Sequence, residues 1–419
     1  MRNCIKDAKF NMKITASKKL ESLKPYAFAE INERVEALKK SGVKPIDFGV
    51  GDPSEPTPEF VIESLSAAGR KHAKTGYPSY IGSLEFRKAA AGYMKRRFGV
   101  LLDPEKEISS NIGSKEAIFN FPQGFIDPGD IVIMPSPGYP PMKTGTIFAG
   151  GVPYFVPLLE KNNFLIDYAA IPESVCKAAK IIWTNYPNSP TGAVAGREYY
   201  EGLMAWAKKW NIIIAADEGC YIDIYFGEKP MSILEVGREG VIAFYSLSKR
   251  NNMTGYRVGF VAGDSEIVSI FKKLKTNIDS GTASVIQEAA IVALGDDKHV
   301  ERMRGIYKEK RDVLVEGLMA MGLEVRVPEA TFYVWQKVPS GMSDVEFAKK
   351  LLALEVGIVV TPGSLISDEC ETGDGERQGG TNGISDWRVN PGAGYVRFAL
   401  MPSMSEVKEA VERLRKMRG

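Results

Sequence analysis

Short apolar runs recur through the middle of the chain, each closed by turn residues: Ile131–Met134, Ile181–Thr184, Ile212–Ala215, Val241–Phe244 and Gly259–Ala262. Runs without polar alternation predict strands buried on both faces, hence a mostly parallel sheet. Between them, Ser114–Phe125 and Glu198–Trp210 carry apolar residues at helical spacing. Strand–helix alternation of this kind predicts a doubly wound α/β domain, over residues 53–296. The pattern then changes. A long helix is expected over Asp297–Met321, followed by strand-like Glu324–Val327, Phe332–Trp335, Ile358–Val360 and Tyr395–Leu400, with helices near Asp344–Leu354 and Ser405–Met417. This gives a smaller α+β domain at 297–419, with residues 1–52 as an N-terminal arm and part of that small domain. Ser367–Trp387, rich in Gly, Asp, Glu, Ser and Asn, reads as a long loop of the kind used as a lid or carried as an insertion.

Charge and composition remove several classes of function. The 419 residues hold 54 basic and 52 acidic side chains, so no global field favours nucleic acid or an anionic membrane. No apolar run approaches the ~20 residues that span a bilayer. The first residues lack the apolar core of a signal peptide. Cys4, Cys176, Cys220 and Cys370 lie far apart without CxxC spacing, which suits a reducing cytoplasm better than a disulfide framework or a zinc site. With only His72 and His299 present, His-ligated metals and a Ser-His-Asp hydrolase are disfavoured, and no metal is expected. Chemistry therefore falls to lysine, tyrosine, carboxylates or a cofactor.

Four turn motifs supply candidates. Ser246-Leu-Ser248-Lys249 follows the run Val241–Phe244, and Arg257 stands eight residues beyond the lysine. An amine at the C-terminal end of such a strand lies where open α/β sheets bind ligands. Partial desolvation there lowers its pKa, as Schiff-base chemistry requires. Two hydroxyls and a guanidinium beside it suit a phosphate dianion. Asp217, ending the run Ile212–Ala215, can pair with a protonated ring nitrogen; alone it would read as a helix N-cap. Asn188 and Ser189, in Asn185-Tyr-Pro-Asn-Ser-Pro-Thr-Gly192, form a turn whose amides and hydroxyls can meet a phenolic oxygen. Gly113-Ser114-Lys115 opens a helix and offers an anion site.

In order and spacing these motifs resemble the class I/II aminotransferases of the fold-type-I pyridoxal-phosphate superfamily, over nearly the whole chain. Further stretches are similar: Asp47-Phe-Gly-Val-Gly51-Asp-Pro, Tyr77-Pro-Ser-Tyr-Ile-Gly82, Pro135-Ser-Pro-Gly-Tyr139-Pro and Tyr395-Val-Arg397-Phe-Ala-Leu. The resemblance implies pyridoxal 5′-phosphate as cofactor, with Lys249 as Schiff-base lysine and general acid/base. It implies Asp217 at the pyridinium nitrogen and Tyr139 stacked on the ring. It implies a phosphate cup of Gly113, Ser114, Lys115, Ser246 and Arg257, with Ser248 also among the cofactor-binding residues. Arg397, with Gly51 and Asn188, would take the substrate. Tyr77 would reach the phosphate of a neighbouring subunit, implying a homodimer with shared sites. Two departures stand out. Ser189, preceded by Asn188, occupies the place of the family's asparagine, so either residue is a candidate contact for the cofactor's O3′. Cys220 holds the place of the family's tyrosine after the strand aspartate, and a one-residue bulge would restore Tyr221.

Within the family, the likeness is to the diaminopimelate–lysine branch, both the LL-diaminopimelate and the N-succinyldiaminopimelate enzymes. An amino acid and a 2-oxo acid, 2-oxoglutarate by that resemblance, are the expected substrates. Aspartate or alanine transamination, or a non-catalytic cofactor-binding sensor, are the alternatives. Lys115, Arg250 and Arg388 are candidates for reading a second, distal carboxylate.

Overall fold

The computed structural model describes residues 14–23, 29–40, 42–74, 76–353, 355–371 and 388–417. The Ser367–Trp387 loop therefore lies, from residue 372 onward, outside the described residues, as do Cys4 and the start of the N-terminal arm.

A short strand β1 (Ile46–Asp47) precedes the seven that build the large sheet. These are β2 (Ile108–Asn111), β3 (Ile131–Ser136), β4 (Val152–Pro157), β5 (Ala179–Thr184), β6 (Ile213–Gly219), β7 (Val241–Ser246) and β8 (Gly259–Gly263), in the order β2-β8-β7-β6-β5-β3-β4. All neighbours run parallel except β8, which is antiparallel to both β7 and β2. The run beginning at Gly259 thus belongs to the sheet but reverses direction. Residues 247–258 join it to β7 and hold only two single turns, Leu247–Arg250 and Thr254–Tyr256, without the helix that usually carries a crossover to a parallel neighbour.

Helices cover both faces. Ile181 and Trp183 join Phe121, Phe244 and Phe271 in one buried layer, and Ile182 between them joins Tyr93, Tyr245 and Phe260 in the other. Strict alternation inside an unbroken apolar run is what a strand buried on both faces requires. The expected helices appear at Arg197–Trp210 and at Ser114–Asn120, the latter continuing as a 3-10 turn over Phe121–Gly124.

The long helix runs Lys298–Ala320. Beyond it come β9 (Tyr333–Lys337), β10 (Ile358–Val359), β11 (Thr361–Pro362), β12 (Cys370–Glu371), β13 (Arg388–Val389) and β14 (Tyr395–Ala399). Strand β14 lies between β9 and β11, and β1 pairs in parallel with β10. Phe48, Leu314, Phe332, Leu351, Phe398 and Leu414 share a second core. Glu324–Val327, expected as a strand, is not one. It is extended and at most half-buried, and among the described residues no strand pairs with it.

Candidate active site

The parallel strands β3, β5, β6 and β7 end at one edge of the sheet, and β4 and β5 leave β3 on opposite sides. Ligands of open α/β sheets bind outside such a switch point. A cavity of about 490 Å³ lies there, walled by turns after β3 (Gly138, Tyr139), β5 (Asn185, Ser189), β6 (Cys220, Tyr221) and β7 (Lys249), and roofed by Gly51, Tyr333, Thr361 and Arg397.

Lys249 sits in the single helical turn Leu247–Arg250, capped by the Ser246 hydroxyl. Its Nζ donates to the Gly51 carbonyl at 2.8 Å and lies 3.7 Å from Asp52. Burial, aided by the Arg257 charge, holds the ammonium pKa below the ordinary lysine value; Cys220 and Asp52 only partly oppose this. The amine is thereby shifted toward the neutral form that attacks carbonyls.

Asp217 lies two residues before the end of β6 and is buried. Asn185 Nδ2 donates to its carbonyl at 2.8 Å and approaches Oδ2 at 3.4 Å, while Oδ1 has no hydrogen-bond partner among the described residues. Burial first, and the neighbouring Glu218 charge second, push its pKa up to about 7. A buried carboxylate without a partner is costly. A ligand presenting a cationic N–H to this cavity would supply the partner that the protein does not.

Arg257 Nη1 approaches the Ser248 hydroxyl at 3.3 Å, and Ser246 Oγ donates to Ser248 Oγ at 2.9 Å. Gly113 has φ +75°, and a Cβ there would stand 2.2 Å from Arg257 Nη2. The glycine is required by both its backbone and the guanidinium seated on it. Ser114 Oγ faces Cys220 Sγ at 3.4 Å. These groups together suit an oxyanion.

Arg397, on β14, donates from Nη2 to the Gly49 carbonyl at 2.8 Å, and its guanidinium lies over the Tyr333 ring. Its buried Nε has no hydrogen-bond partner among the described residues. Gly51 is held free of a side chain because a Cβ would meet Tyr333 Oη at 2.0 Å.

The β6–β7 register slips by one residue between Asp217 and Gly219. Both Cys220 and Tyr221 then reach the cavity wall, and Tyr221 Oη lies 3.3 Å from Tyr333 Oη. Not every expected residue converges. Asn188 is buried inside its own turn, where its Oδ1 accepts from Thr191 Oγ1 at 2.7 Å and its Nδ2 donates to Asn185. Ser189, not Asn188, lines the cavity. The Lys115 side chain is exposed along a separate groove with Phe119 and Phe148. Tyr77 is 87% exposed, away from the cavity of its own chain.

Three further expectations are corrected. None of Lys115, Arg250 and Arg388 lines the cavity, so none is placed to read a distal carboxylate within this chain. Arg250 is turned inward onto Asp223, and Arg388 lies on the β12–β13 ribbon near Glu369 and Glu371. Conversely, Asn185 and Tyr333 line the cavity and had not been singled out. Register could have found them: Thr184 pairs with Ala216, setting Asn185 beside Asp217, and Tyr333 sits diagonal to Arg397 across β9–β14.

Comparison with known proteins decides the family. Residues 43–374 match the family described as aminotransferase class I and II. The chain belongs to that family. It is 45% identical to an LL-diaminopimelate aminotransferase from Aquifex aeolicus, over 96% of this chain and 99% of that one. Among solved structures it is similar to substrate-bound BacF from Bacillus subtilis, with a TM-score of 0.85 and 32% identity over 97% of this chain and 98% of that one. It is also similar to a probable N-succinyldiaminopimelate aminotransferase from Thermus thermophilus, with a TM-score of 0.81 and 30% identity over 93% and 99% of the two chains. This aminotransferase has the doubly wound, mostly parallel sheet of its relatives. Among its described residues no helix is long and apolar enough to cross a membrane, and no cluster of side chains is arranged to hold a metal.

Proposed function

We propose that this aminotransferase uses pyridoxal 5′-phosphate to move an amino group from LL-2,6-diaminopimelate to 2-oxoglutarate. The carrying observation is one cavity that joins a lysine amine of lowered pKa, a buried carboxylate oxygen without a partner and an arginine with an unused N–H. The choice of donor rests on full-length likeness to LL-diaminopimelate aminotransferases.

Pyridoxal phosphate, when bound, supplies an aldehyde that carries the amino group and a cationic ring that accepts the electron pair freed at Cα. Lys249 would hold the cofactor through its amine, and its Nζ is the group that would take and return the Cα proton. Asp217 keeps the ring nitrogen protonated by offering its unpaired Oδ1. Gly113, Ser114, Ser246, Ser248 and Arg257 hold the phosphate, and Tyr139 covers the ring. Ser189 and Tyr221, on the cavity wall, would serve the cofactor's phenolic oxygen. Arg397 binds the α-carboxylate, Nε and Nη together forming the fork that a carboxylate fits. Tyr77, exposed on its own chain, completes the phosphate site of a second copy in a homodimer with shared sites.

The test supplies purified protein and cofactor with LL-diaminopimelate and 2-oxoglutarate and measures glutamate. Glutamate formed faster than with N-succinyl-LL-diaminopimelate or aspartate supports the reading. Turnover with one of those donors and none with LL-diaminopimelate overturns the substrate assignment.

A further inference from the structure

The helix that carries Lys249 spans four residues, too few to hold its geometry by its own hydrogen bonds. Its flanking side chains point opposite ways. Ser248 faces Arg257, whereas Arg250 is driven into the interior with 4% of its side chain exposed. There every guanidinium N–H is used. Nε donates to Asp223 Oδ2 at 2.7 Å, Nη1 to Asn251 Oδ1 at 3.1 Å and the Ala293 carbonyl at 2.9 Å, and Nη2 to the Asp296 carbonyl and the Asp297 carboxylate.

Asp223 is the centre of this cluster. It lies two residues beyond Tyr221, on the turn that follows β6. Its other oxygen accepts from Arg97 Nε at 2.9 Å, and Tyr93 Oη donates to Oδ2 at 2.8 Å. Burial alone would raise its pKa, but Arg250 and Arg97 outweigh that and hold the carboxyl below its ordinary value. Stability does not demand such an arrangement, since apolar side chains of similar volume in place of buried ion pairs are often as stable. What the pair supplies is direction: a planar fork fixed on one carboxylate. It ties the residue after the lysine to the turn that carries the carboxylate and the tyrosine of the cavity.

We propose that Asp223 and Arg250 are positioning residues, whose buried pair sets where the Lys249 amine stands relative to Asp217 and Tyr221. This rests on the reading of Lys249 as the residue that holds the cofactor. Neither side chain lines the cavity, so both act through their neighbours.

Asp223→Asn removes the carboxylate that Arg250 and Arg97 share and endangers the fold, so the charge-conserving Arg250→Lys is the deciding variant. Both proteins are loaded with pyridoxal phosphate, and the visible absorption band is titrated with pH. Arg250→Lys is expected to shift the midpoint of that titration by at least about half a pH unit. It is expected to lower kcat about tenfold with KM for the amino donor within about twofold. In the cofactor-free variant, amide exchange over Leu247–Asn252 should rise while that of β3 does not. An unchanged midpoint and kcat, with only a lower melting temperature, would show a purely structural pair and overturn the proposal. Borohydride reduction and peptide mapping of the unsubstituted protein form the control. Cofactor fixed on another residue, or on none, overturns the reading of Lys249 and this inference with it.

Discussion

The guanidinium of Arg257 rests directly on the backbone of Gly113, where a methyl group would come within 2.2 Å of Nη2. Gly113→Ala must therefore move the arginine or the turn. An alanine at this backbone conformation, φ 75° and ψ 152°, also costs about 1–3 kcal/mol because the region is open essentially to glycine alone. Lost charge-assisted contacts of this kind are worth about 1.5–3 kcal/mol, so the affinity for pyridoxal phosphate should fall about 10- to 100-fold. Cofactor titration followed by absorbance measures it; an affinity within twofold of the parent would mean that Arg257 does not serve the phosphate.

Asp217 makes a prediction about pH. Its folded pKa, about 7, lies above the ordinary aspartate value, so the folded cofactor-free protein binds the proton more tightly than the unfolded chain. The resulting stability is present below pH ~4 and is lost as pH rises through ~7. Asp217→Asn removes this dependence. In cofactor-free protein the variant should gain melting temperature relative to the parent as pH climbs from 5 to 8. In the loaded enzyme the same change should abolish most turnover. Parallel melting curves for the two cofactor-free proteins would contradict the assignment.

Arg397→Lys keeps the positive charge but loses the fork. KM for the amino donor should rise about tenfold or more, while the cofactor's absorption spectrum stays that of the parent. A changed spectrum with an unchanged KM would place Arg397 at the cofactor instead.

Lys310 is buried on the long helix, and its Nζ has no hydrogen-bond partner among the described residues. Burial holds its pKa down, against the pull of Glu55 and Glu406. Lys310→Met keeps the volume and removes a poorly solvated polar group, so stability should rise by about 1–2 kcal/mol with activity retained. Urea unfolding reads this directly. A loss of stability would reveal that the ammonium has a partner in the assembled protein.

Strands β3, β5, β6 and β7 were legible because unbroken apolar runs have few alternatives in a chain of this length. The direction of β8 was not, because both orientations bury the same side chains; the short connection after Lys249 decides it. Glu324–Val327 had strand-like alternation, but pairing requires a neighbour, and neighbours belong to tertiary structure. Lysine, aspartate and arginine candidates at strand ends were legible because turns project them toward one edge. The side-chain directions of Asn188 and Arg250 were not. One turns back on its own loop and the other into the interior, and spacing along the chain is blind to both. Asn185 and Tyr333 became visible only through register.

Strand β1 joins Ile46 to Ile358 and Asp47 to Val359, and Phe48 donates to Val359 and accepts from Ala399. A growing polypeptide makes one side of that seam long before the other. Until then Phe48 has no ring of Phe398 to meet, and it waits as exposed apolar surface. Contacts of such long sequence separation form late and slowly. The large sheet can assemble from neighbouring segments as they appear, whereas the lobe carrying Arg397 closes only once β10 and β14 have been made. Residues 46–48 thus help to finish a lobe built from segments far along the chain, and a protein lacking them would lose order first around β10 and β14.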